Sequence, residues 1–227
     1  MLDKLYNHRF EFFFFSQLSI LFGSLIVPQT FFDERLSPIL FLINLSAGIL
    51  LISKKKILLR FFIFLLIIAS LVFGSDLINP SQKVVFPYIR VISYFLFYVV
   101  VTYEMIKQVW RAVEINKNVI LGLISGYISL GLIGFFICLS IEITTPGAFH
   151  FTQTSFVNQP ELIFENLMYF SYITLLTIGY GDVYPVGRLA HKTAILIGLM
   201  GQIYLVILTA IVVGKYINQV STKNDKS

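Results

Sequence analysis

The stretch from residue 160 to residue 185 constrains the fold of this chain more than any other. An apolar, helix-forming segment from Pro160 to about Leu175 precedes Thr-Ile-Gly-Tyr-Gly-Asp at 177–182, with long apolar runs on either side. About 15 residues rising 1.5 Å each cover about 22 Å, too little to cross roughly 30 Å of hydrocarbon. The segment must enter the apolar region and turn back, which is tolerated only where the backbone is buried in protein or lines a water-filled path.

Backbone chemistry indicates what residues 177–181 can do. Gly179 and Gly181 permit left-handed dihedral angles, so successive carbonyl groups can turn toward one side. Four such strands around an axis would form rings of carbonyl oxygens that replace the water shell of a cation without formal negative charge. The Thr177 hydroxyl would add an oxygen at the inner end. The C-terminal end of the preceding helix would also favour a cation there, through its dipole.

Thr-Ile-Gly-Tyr-Gly-Asp resembles the filter signature of potassium channels, with Ile178 in place of the commoner valine. The resemblance covers the apolar helix before the short segment, the filter and the helix after it, and the chain is similar to bacterial six-span channels with one pore loop. It implies passive K⁺ conduction through the central pore of a homotetramer. The implied partners are membrane lipid and K⁺, without nucleic acid and with no cofactor besides the permeant ion.

The resemblance also assigns roles to residues of the filter. The carbonyl groups that would coordinate K⁺ belong to Thr177, Ile178, Gly179 and Tyr180. Gly181 would close the outer mouth. Tyr180 would point away from the pore and pack against Tyr169 or Phe170 of the pore helix. Asp182 would lie at the outer rim, held by hydrogen bonds behind the filter.

Three further positions bear on gating. Gly198 falls where related channels place a hinge glycine, although close helix packing explains it nearly as well. Leu176 replaces the second threonine of many relatives, and Ile173 replaces a glutamate found in some. These two departures concern filter gating and inactivation rather than ion coordination.

Two other functions stay open at this point. Potassium transporter subunits with related loops usually carry four degenerate loops in one chain, each with a single glycine, whereas this chain has one complete Gly-Tyr-Gly. A non-conducting subunit that modifies another channel is the other alternative. An enzyme is not expected, because no cluster of His, Cys and carboxylate residues has catalytic or metal-ligand spacing.

Composition predicts an all-α membrane protein. A hydrophobic fraction of 57%, a charged fraction of 13% and a mean hydropathy of +0.83 exclude an ordinary soluble domain. Six transmembrane helices are expected, with a re-entrant pore helix and filter between the fifth and sixth. The predicted spans cover residues 11–27, 38–52, 57–73, 84–103, 119–141 and 190–213.

These spans divide into predicted domains. Residues 1–117 form a four-helix membrane domain, whose part from about 103 to 117 is expected to be a helix lying in the membrane interface. Residues 118–217 form the pore module, and 218–227 a short cytoplasmic tail. Residues 29–37 are expected to be a polar loop.

Basic residues predict the orientation. With six spans, 12 of the 17 Lys and Arg residues lie on the side of the N terminus and 5 on the other. The positive-inside rule then places both termini in the cytoplasm and the filter linker outside. The expected location is the inner (plasma) membrane, as a multi-pass protein.

The fourth span lacks the pattern of a voltage sensor. Its one basic residue is Arg90, whereas a sensor carries three or four charges at every third position. Arg90 is expected to pair with Asp76 or to extend toward the interface. Strong voltage gating is therefore not expected.

Overall fold

Apolar runs separated by short polar turns give a mostly helical chain. The computed structural model describes residue 6 and residues 8–53, 55–78, 86–152 and 160–224. Contacts divide the chain into unit 1, Met1–Glu104, and unit 2, Met105–Ser227. This boundary precedes the predicted one at residue 117, because the segment after residue 104 packs with the helices that follow it.

Unit 1 contains four long helices in its described part. They are α1 (Arg9–Phe22), α2 (Ser37–Ile52), α3 (Lys56–Ile78) and α4 (Phe86–Arg111), the last of which continues into unit 2. Helix α2 packs against both α1 and α3. The buried faces are largely aromatic, since the ring of Phe97 lies 5.1 Å from that of Phe62 and 6.4 Å from that of Phe13.

One polar cluster lies within this apolar core. The Asn44 amide on α2 donates to the Ser16 hydroxyl on α1 and accepts from the Tyr98 hydroxyl on α4, at 2.8 Å in each case. All three side chains are buried. Because the amide is paired at both its nitrogen and its oxygen, the cluster fixes the register of three helices without leaving that amide unsatisfied.

The polar loop predicted over residues 29–37 is wrong. A helical turn at Gln29–Phe31 and a π-helical turn at Phe32–Leu36 lead without a break into α2. Pro38 in the first turn of α2 has no N–H to donate, and a wider turn before it accommodates the missing hydrogen bond. The first predicted span is also too long, since α1 ends at Phe22 and a 3₁₀ turn follows at Gly23–Leu25.

The separate interfacial helix predicted over residues 103–117 is not formed. Helix α4 runs unbroken to Arg111, and residues 112–116 are not helical. The sequence becomes amphipathic after Tyr103, but no glycine, proline or capping residue interrupts the helix there. The next helix begins after Asn116, whose side chain accepts a hydrogen bond from the N–H of Val119 at 3.1 Å.

Unit 1 contains a buried carboxylate at Glu104. Glu104 is only 4% exposed and forms an ion pair with Lys55. A buried carboxylate needs such a partner, because an unpaired charge in the interior is strongly destabilising. The predicted pairing of Arg90 with Asp76 involves side chains outside the described part of the structure.

Unit 2 is built around four helices and a small sheet. The helices are α5 (Lys117–Thr144), α6 (Pro160–Leu175), α7 (Arg188–Ile203) and α8 (Thr209–Asn224). A π-helical turn at Tyr204–Leu208 joins α7 to α8. Strands β1 (Phe149–Phe151) and β2 (Val183–Pro185) pair antiparallel, with His150 opposite Tyr184. The sheet therefore brings together the two ends of the segment that contains α6 and residues 176–182.

Two helices in the described part of the chain are long and apolar enough to cross a membrane. They are Lys117–Thr144 and Arg188–Ser221, which coincide with the fifth and sixth predicted spans. Ser37–Ile52 is apolar but shorter. The six-span topology as a whole stays a prediction.

The tail predicted over residues 218–227 is helical as far as Asn224. No glycine or proline follows residue 214 to stop the helix. Contacts also hold this end, because the ammonium group of Lys215 donates to the carbonyl oxygens of Trp110 at 2.5 Å and of Ala112 at 2.8 Å. Helix α8 is thus bound to the segment that leads into α5.

Candidate functional site

Residues 177–181 follow α6 closely and have an unusual backbone. The φ angles of Thr177, Gly179 and Gly181 are 58°, 57° and 81°, all left-handed. Among the described residues Thr177 is the one non-glycine with positive φ, so Ile178 and Tyr180 have negative φ. We call residues 177–181 the filter strand. Positive and negative φ angles alternate along it, and such alternation turns the carbonyl groups of successive residues toward one side of the strand.

The amide groups of this strand are bound to the end of α6. The N–H groups of Ile178 and Gly179 both donate to the carbonyl oxygen of Ile173, at 2.8 and 3.3 Å. The N–H of Thr177 donates to Thr174 at 3.0 Å. In a trans peptide the C=O points away from the N–H of the next residue, so the carbonyl groups of Leu176, Thr177 and Ile178 point away from the end of α6. Positive φ at Thr177 costs about 1–2 kcal/mol, which the hydrogen bonds help to offset.

A second set of hydrogen bonds holds the outer end of the strand at Asp182. The Tyr169 hydroxyl donates to one carboxylate oxygen at 2.8 Å, and the N–H of Val183 donates to the other at 3.1 Å. The Thr152 hydroxyl donates to the backbone carbonyl of Asp182 at 2.6 Å. Partial loss of solvation and the hydrogen bond to Asp182 raise the pKa of Tyr169 to about 12.

The aromatic residues assigned to filter support take different positions. Phe170 is buried and packs edge-on against Phe149 of β1, with ring centroids 5.2 Å apart. Tyr180 is 73% exposed within one chain, and its packing on Tyr169 or Phe170 stays a prediction. Tyr169 contacts Asp182, the next residue but one after Tyr180, through a hydrogen bond.

Helices α5 and α7 meet the inner end of the strand at Leu175. A β-carbon at Gly201 of α7 would overlap the carbonyl oxygen of Leu175. The Tyr127 hydroxyl of α5 donates to the same oxygen at 3.2 Å. Since Leu175 comes two residues before Thr177, both long helices contact the chain just where the strand begins.

Two hydroxyl groups tie α6 to α5. Ser171 donates to the carbonyl oxygen of Gly131, and Tyr172 donates to that of Ile128, each at 2.7 Å. Sequence reasoning missed both residues, together with Tyr127. The sequence did contain a signal for these contacts. A hydroxyl group within an apolar segment needs a hydrogen-bond partner, and small residues in a helix indicate where another helix packs closely.

Gly198, the predicted hinge, lies inside α7 without a break in the helix. A β-carbon there would meet no heavy atom within 4 Å. The irregular part of this long helix is instead the π-helical turn, whose first residue, Tyr204, donates its hydroxyl to the Leu123 carbonyl at 2.6 Å. The hinge role of Gly198 stays a prediction.

Comparison with known proteins concerns this same part of the chain. Residues 123–218 match a family model described as ion channel. No curated protein and no solved structure matches the chain. The matched region includes all of residues 177–181, and unit 1 lies outside it.

We expect Gly201→Ala to lower the free energy of unfolding by about 1–3 kcal/mol, because the added methyl group would overlap the Leu175 carbonyl. Gly198→Ala is the matched control on the same helix. It should be neutral or stabilise by up to about 1 kcal/mol, through the higher helix propensity of alanine. Thermal unfolding in one detergent compares the two variants with the wild type. Equal melting temperatures for the variants would contradict the described contact.

Proposed function

We propose that this chain is a subunit of a potassium-selective channel, which conducts K⁺ passively through the central pore of a homotetramer. The observations that carry the proposal are the three N–H groups of Thr177, Ile178 and Gly179 that bind the end of α6, and the left-handed φ angles of Thr177, Gly179 and Gly181. Together they favour a segment whose carbonyl groups lie on the side opposite α6. The carbonyl groups that coordinate K⁺ are those of Thr177, Ile178, Gly179 and Tyr180. Gly181 lies at the outer mouth.

Dipoles rather than charges stabilise the ion in this arrangement. No residue between Thr177 and Gly181 is charged. Stacked rings of carbonyl oxygens can replace the hydration shell of a monovalent cation. The C-terminal end of α6 precedes the strand, and its partial negative charge lowers the energy of a cation nearby. Asp182 lies beyond the strand, where Tyr169 holds it.

One strand alone cannot surround an ion. Ile178 and Tyr180 are 49% and 73% exposed in the single chain. Backbone carbonyl groups left without partners at membrane depth cost several kcal/mol each. Strands from other chains, together with the ion, complete the site, and four copies around one axis give closed rings of oxygens.

The orientation and location belong to the same proposal. The helices of unit 1 supply the first four spans of a multi-pass protein of the inner (plasma) membrane. Both termini lie in the cytoplasm, which is supported by the excess of Lys and Arg on that side.

A potassium transporter subunit or a non-conducting modulatory subunit is the alternative. The positive φ angles of Gly179 and Gly181 favour the channel, because a complete filter uses both glycines. Flux of K⁺ into liposomes that contain only this chain separates the alternatives. A silent partner or an isolated transporter subunit would give none.

The first functional prediction concerns selectivity. In a planar bilayer with K⁺ on one side and Na⁺ on the other, the reversal potential of the wild type should follow the K⁺ gradient. Gly179→Ala should abolish selectivity or conduction, because alanine at a φ of 57° is disfavoured by roughly 1–2 kcal/mol.

Gly187→Ala is the matched control for this experiment. Gly187 has a φ of −84°, and its nearest neighbour to an added β-carbon is 3.9 Å away. This variant should keep the wild-type reversal potential. Equal permeability to Na⁺ in the wild type, or wild-type selectivity in Gly179→Ala, would contradict the proposal.

Assembly provides a separate prediction. Native mass measurement of the detergent-solubilised protein should give a homotetramer, because each chain contributes one filter strand. Gly201→Ala should weaken the tetramer more than Gly198→Ala does, since the Leu175 contact supports the strand from its inner end. A stable dimer as the only species would contradict the pore.

Gating by voltage is expected to be weak. Moving one charge across the whole field is worth about 2.3 kcal/mol per 100 mV, so one Arg90 in each of four chains supplies roughly 9 kcal/mol at most. Open probability in bilayer recordings should therefore change little between about −100 and +100 mV. Steep activation that is lost in Arg90→Gln but kept in Arg35→Gln would show that unit 1 is a voltage sensor.

A further inference from the structure

A cavity of about 360 Å³ lies within unit 2. The last turns of α4, the middle of α5, the end of α7 and the π-helical turn supply its walls. The residues that line it include Ile106, Trp110, Leu130, Met200, Tyr204 and Ile207. Ligand sites in proteins usually have volumes of about 300–1,000 Å³, so this cavity is large enough to hold a ligand.

The walls of the cavity select for an apolar ligand. The lining side chains are aliphatic or aromatic, and the hydroxyl group of Tyr204 is bound to the Leu123 carbonyl at 2.6 Å. A buried water molecule needs about three polar partners, and an ion or a nucleotide needs more. These walls do not offer them, whereas a hydrocarbon chain needs only close contact.

The cavity lies beside the two helices that are long and apolar enough to cross a membrane. Leu130 is near the middle of Lys117–Thr144, and Met200 and Leu208 are near the middle of Arg188–Ser221. A rise of 1.5 Å per residue from Met200 to Leu208 gives the cavity a length of roughly 12 Å along that helix. At this depth the hydrocarbon chain at hand is the acyl chain of a lipid.

The end of the cavity at Trp110 is basic. The ammonium group of Lys215 donates to the carbonyl oxygens of Trp110 and Ala112, which leaves one of its three N–H groups for another acceptor. Arg111 is exposed and follows Trp110 directly. Among the described residues no carboxylate lies within ion-pair distance of either cation. Tryptophan and basic side chains together are typical of the level of lipid headgroups, and the two cations favour an anionic headgroup.

A second copy of unit 2 does not provide the matching negative charge. One carboxylate in the described part of unit 2, Glu114, lies at this end. The others lie toward the opposite end of α5 or before α7, and they are Glu142, Glu165 and Asp182. Copies related by rotation about one axis across the membrane keep each residue at its own level, so these three carboxylates stay far from Arg111 and Lys215. The charges therefore fit a lipid rather than a neighbouring unit 2.

We propose that the cavity binds one acyl chain of an anionic phospholipid, whose phosphate group contacts Arg111 and Lys215. This inference rests on the membrane location in the proposed function but not on conduction. Lipid tails are as apolar as the cavity walls, so the tail alone gains little by leaving the bilayer. Charge-assisted hydrogen bonds from the guanidinium and ammonium groups to the phosphate oxygens supply the preference for this lipid.

Trp110 is the single tryptophan of the chain, which makes it a reporter for the cavity. The full-length protein is reconstituted into phosphatidylcholine liposomes with rising fractions of a phospholipid brominated in its acyl chains, because bromine quenches tryptophan fluorescence on contact. Brominated phosphatidylglycerol should reach half of its maximal quenching at a mole fraction at least about threefold lower than brominated phosphatidylcholine. The reason is that each basic side chain raises the local concentration of anionic lipid several-fold.

Removing the two cations should remove this preference. In the double variant Arg111→Gln and Lys215→Gln, the two half-maximal mole fractions should agree within about 1.5-fold. The double variant Arg188→Gln and Lys192→Gln is the matched control, because it removes two exposed charges before and within the first turns of the same long helix, at its other end. This control should keep the ratio of the wild type.

A second pair of variants tests the cavity itself and decides the matter if the charge variant does not fold. Ile207→Phe places extra bulk in the cavity, so the excess quenching by brominated phosphatidylglycerol should fall by about twofold or more. Val206→Phe is the matched control, because Val206 is the preceding residue, is 64% exposed and does not line the cavity. It should quench as the wild type does.

The outcomes separate this inference from the proposed function. Equal half-maximal mole fractions for the two brominated lipids in the wild type would overturn the inference. Absence of quenching by either lipid would overturn it as well, because another protein surface would then cover Trp110. A wild-type chain that prefers the anionic lipid but passes no K⁺ would uphold the inference and overturn the proposed function.

Discussion

The structure of the candidate site depends on the hydrogen bonds that the N–H groups of Ile178 and Gly179 donate to the carbonyl of Ile173. They fix the orientation of two peptide units, so that the carbonyl groups of Thr177 and Ile178 point away from α6. Thr177 is held at positive φ, where a non-glycine residue does not stay unless its surroundings require it. The bonds at Asp182 hold the outer end of the same strand, and the contacts at Leu175 hold the chain just before its inner end. A strand fixed at both ends keeps its carbonyl groups in place, which is the preorganisation that the proposed ion binding requires.

Glycine residues of helix α5 make room for the side chains of Ser171, Tyr172 and Tyr204, which lie near the filter strand. A β-carbon at Gly131 would overlap the ring of Tyr172, one at Gly126 would overlap the Tyr204 hydroxyl, and one at Gly134 would crowd Ser171. These glycines therefore make room for side chains from α6 and the π-helical turn. The hydroxyl group of each of these side chains donates a hydrogen bond to a backbone carbonyl of α5. The space next to a glycine therefore allows both close packing and a hydrogen bond.

Sequence alone predicted α6 and residues 177–182, because a short apolar helix followed by Gly-Tyr-Gly is a local pattern. The hydrogen bonds that hold residues 177–181 were harder to predict. In the sequence Ile173 is only a departure from the family pattern, whereas in the structure it contributes a backbone carbonyl, which any residue would supply. The errors at residues 29–37 and 103–117 share one cause, since each places a helix end at a change of polarity. Helices end where backbone groups find other partners, and tertiary contacts decide this.

The contact between α8 and residues 110–115 limits how the long helix can move. The last carbonyl groups of α4 have no partner within their own helix, and the ammonium group of Lys215 takes that place for Trp110 and Ala112. Gln219, one turn later, accepts from the N–H of Ile115. Hydrogen bonds to a charged group contribute about 1.5–3 kcal/mol each. Tilting α8 alone would break all three bonds and expose the apolar contact of Val212 with Val109 and Ile115. A tilt that carries residues 110–115 with it breaks none of them, so we expect residues 110–115 and helix α8 to move together.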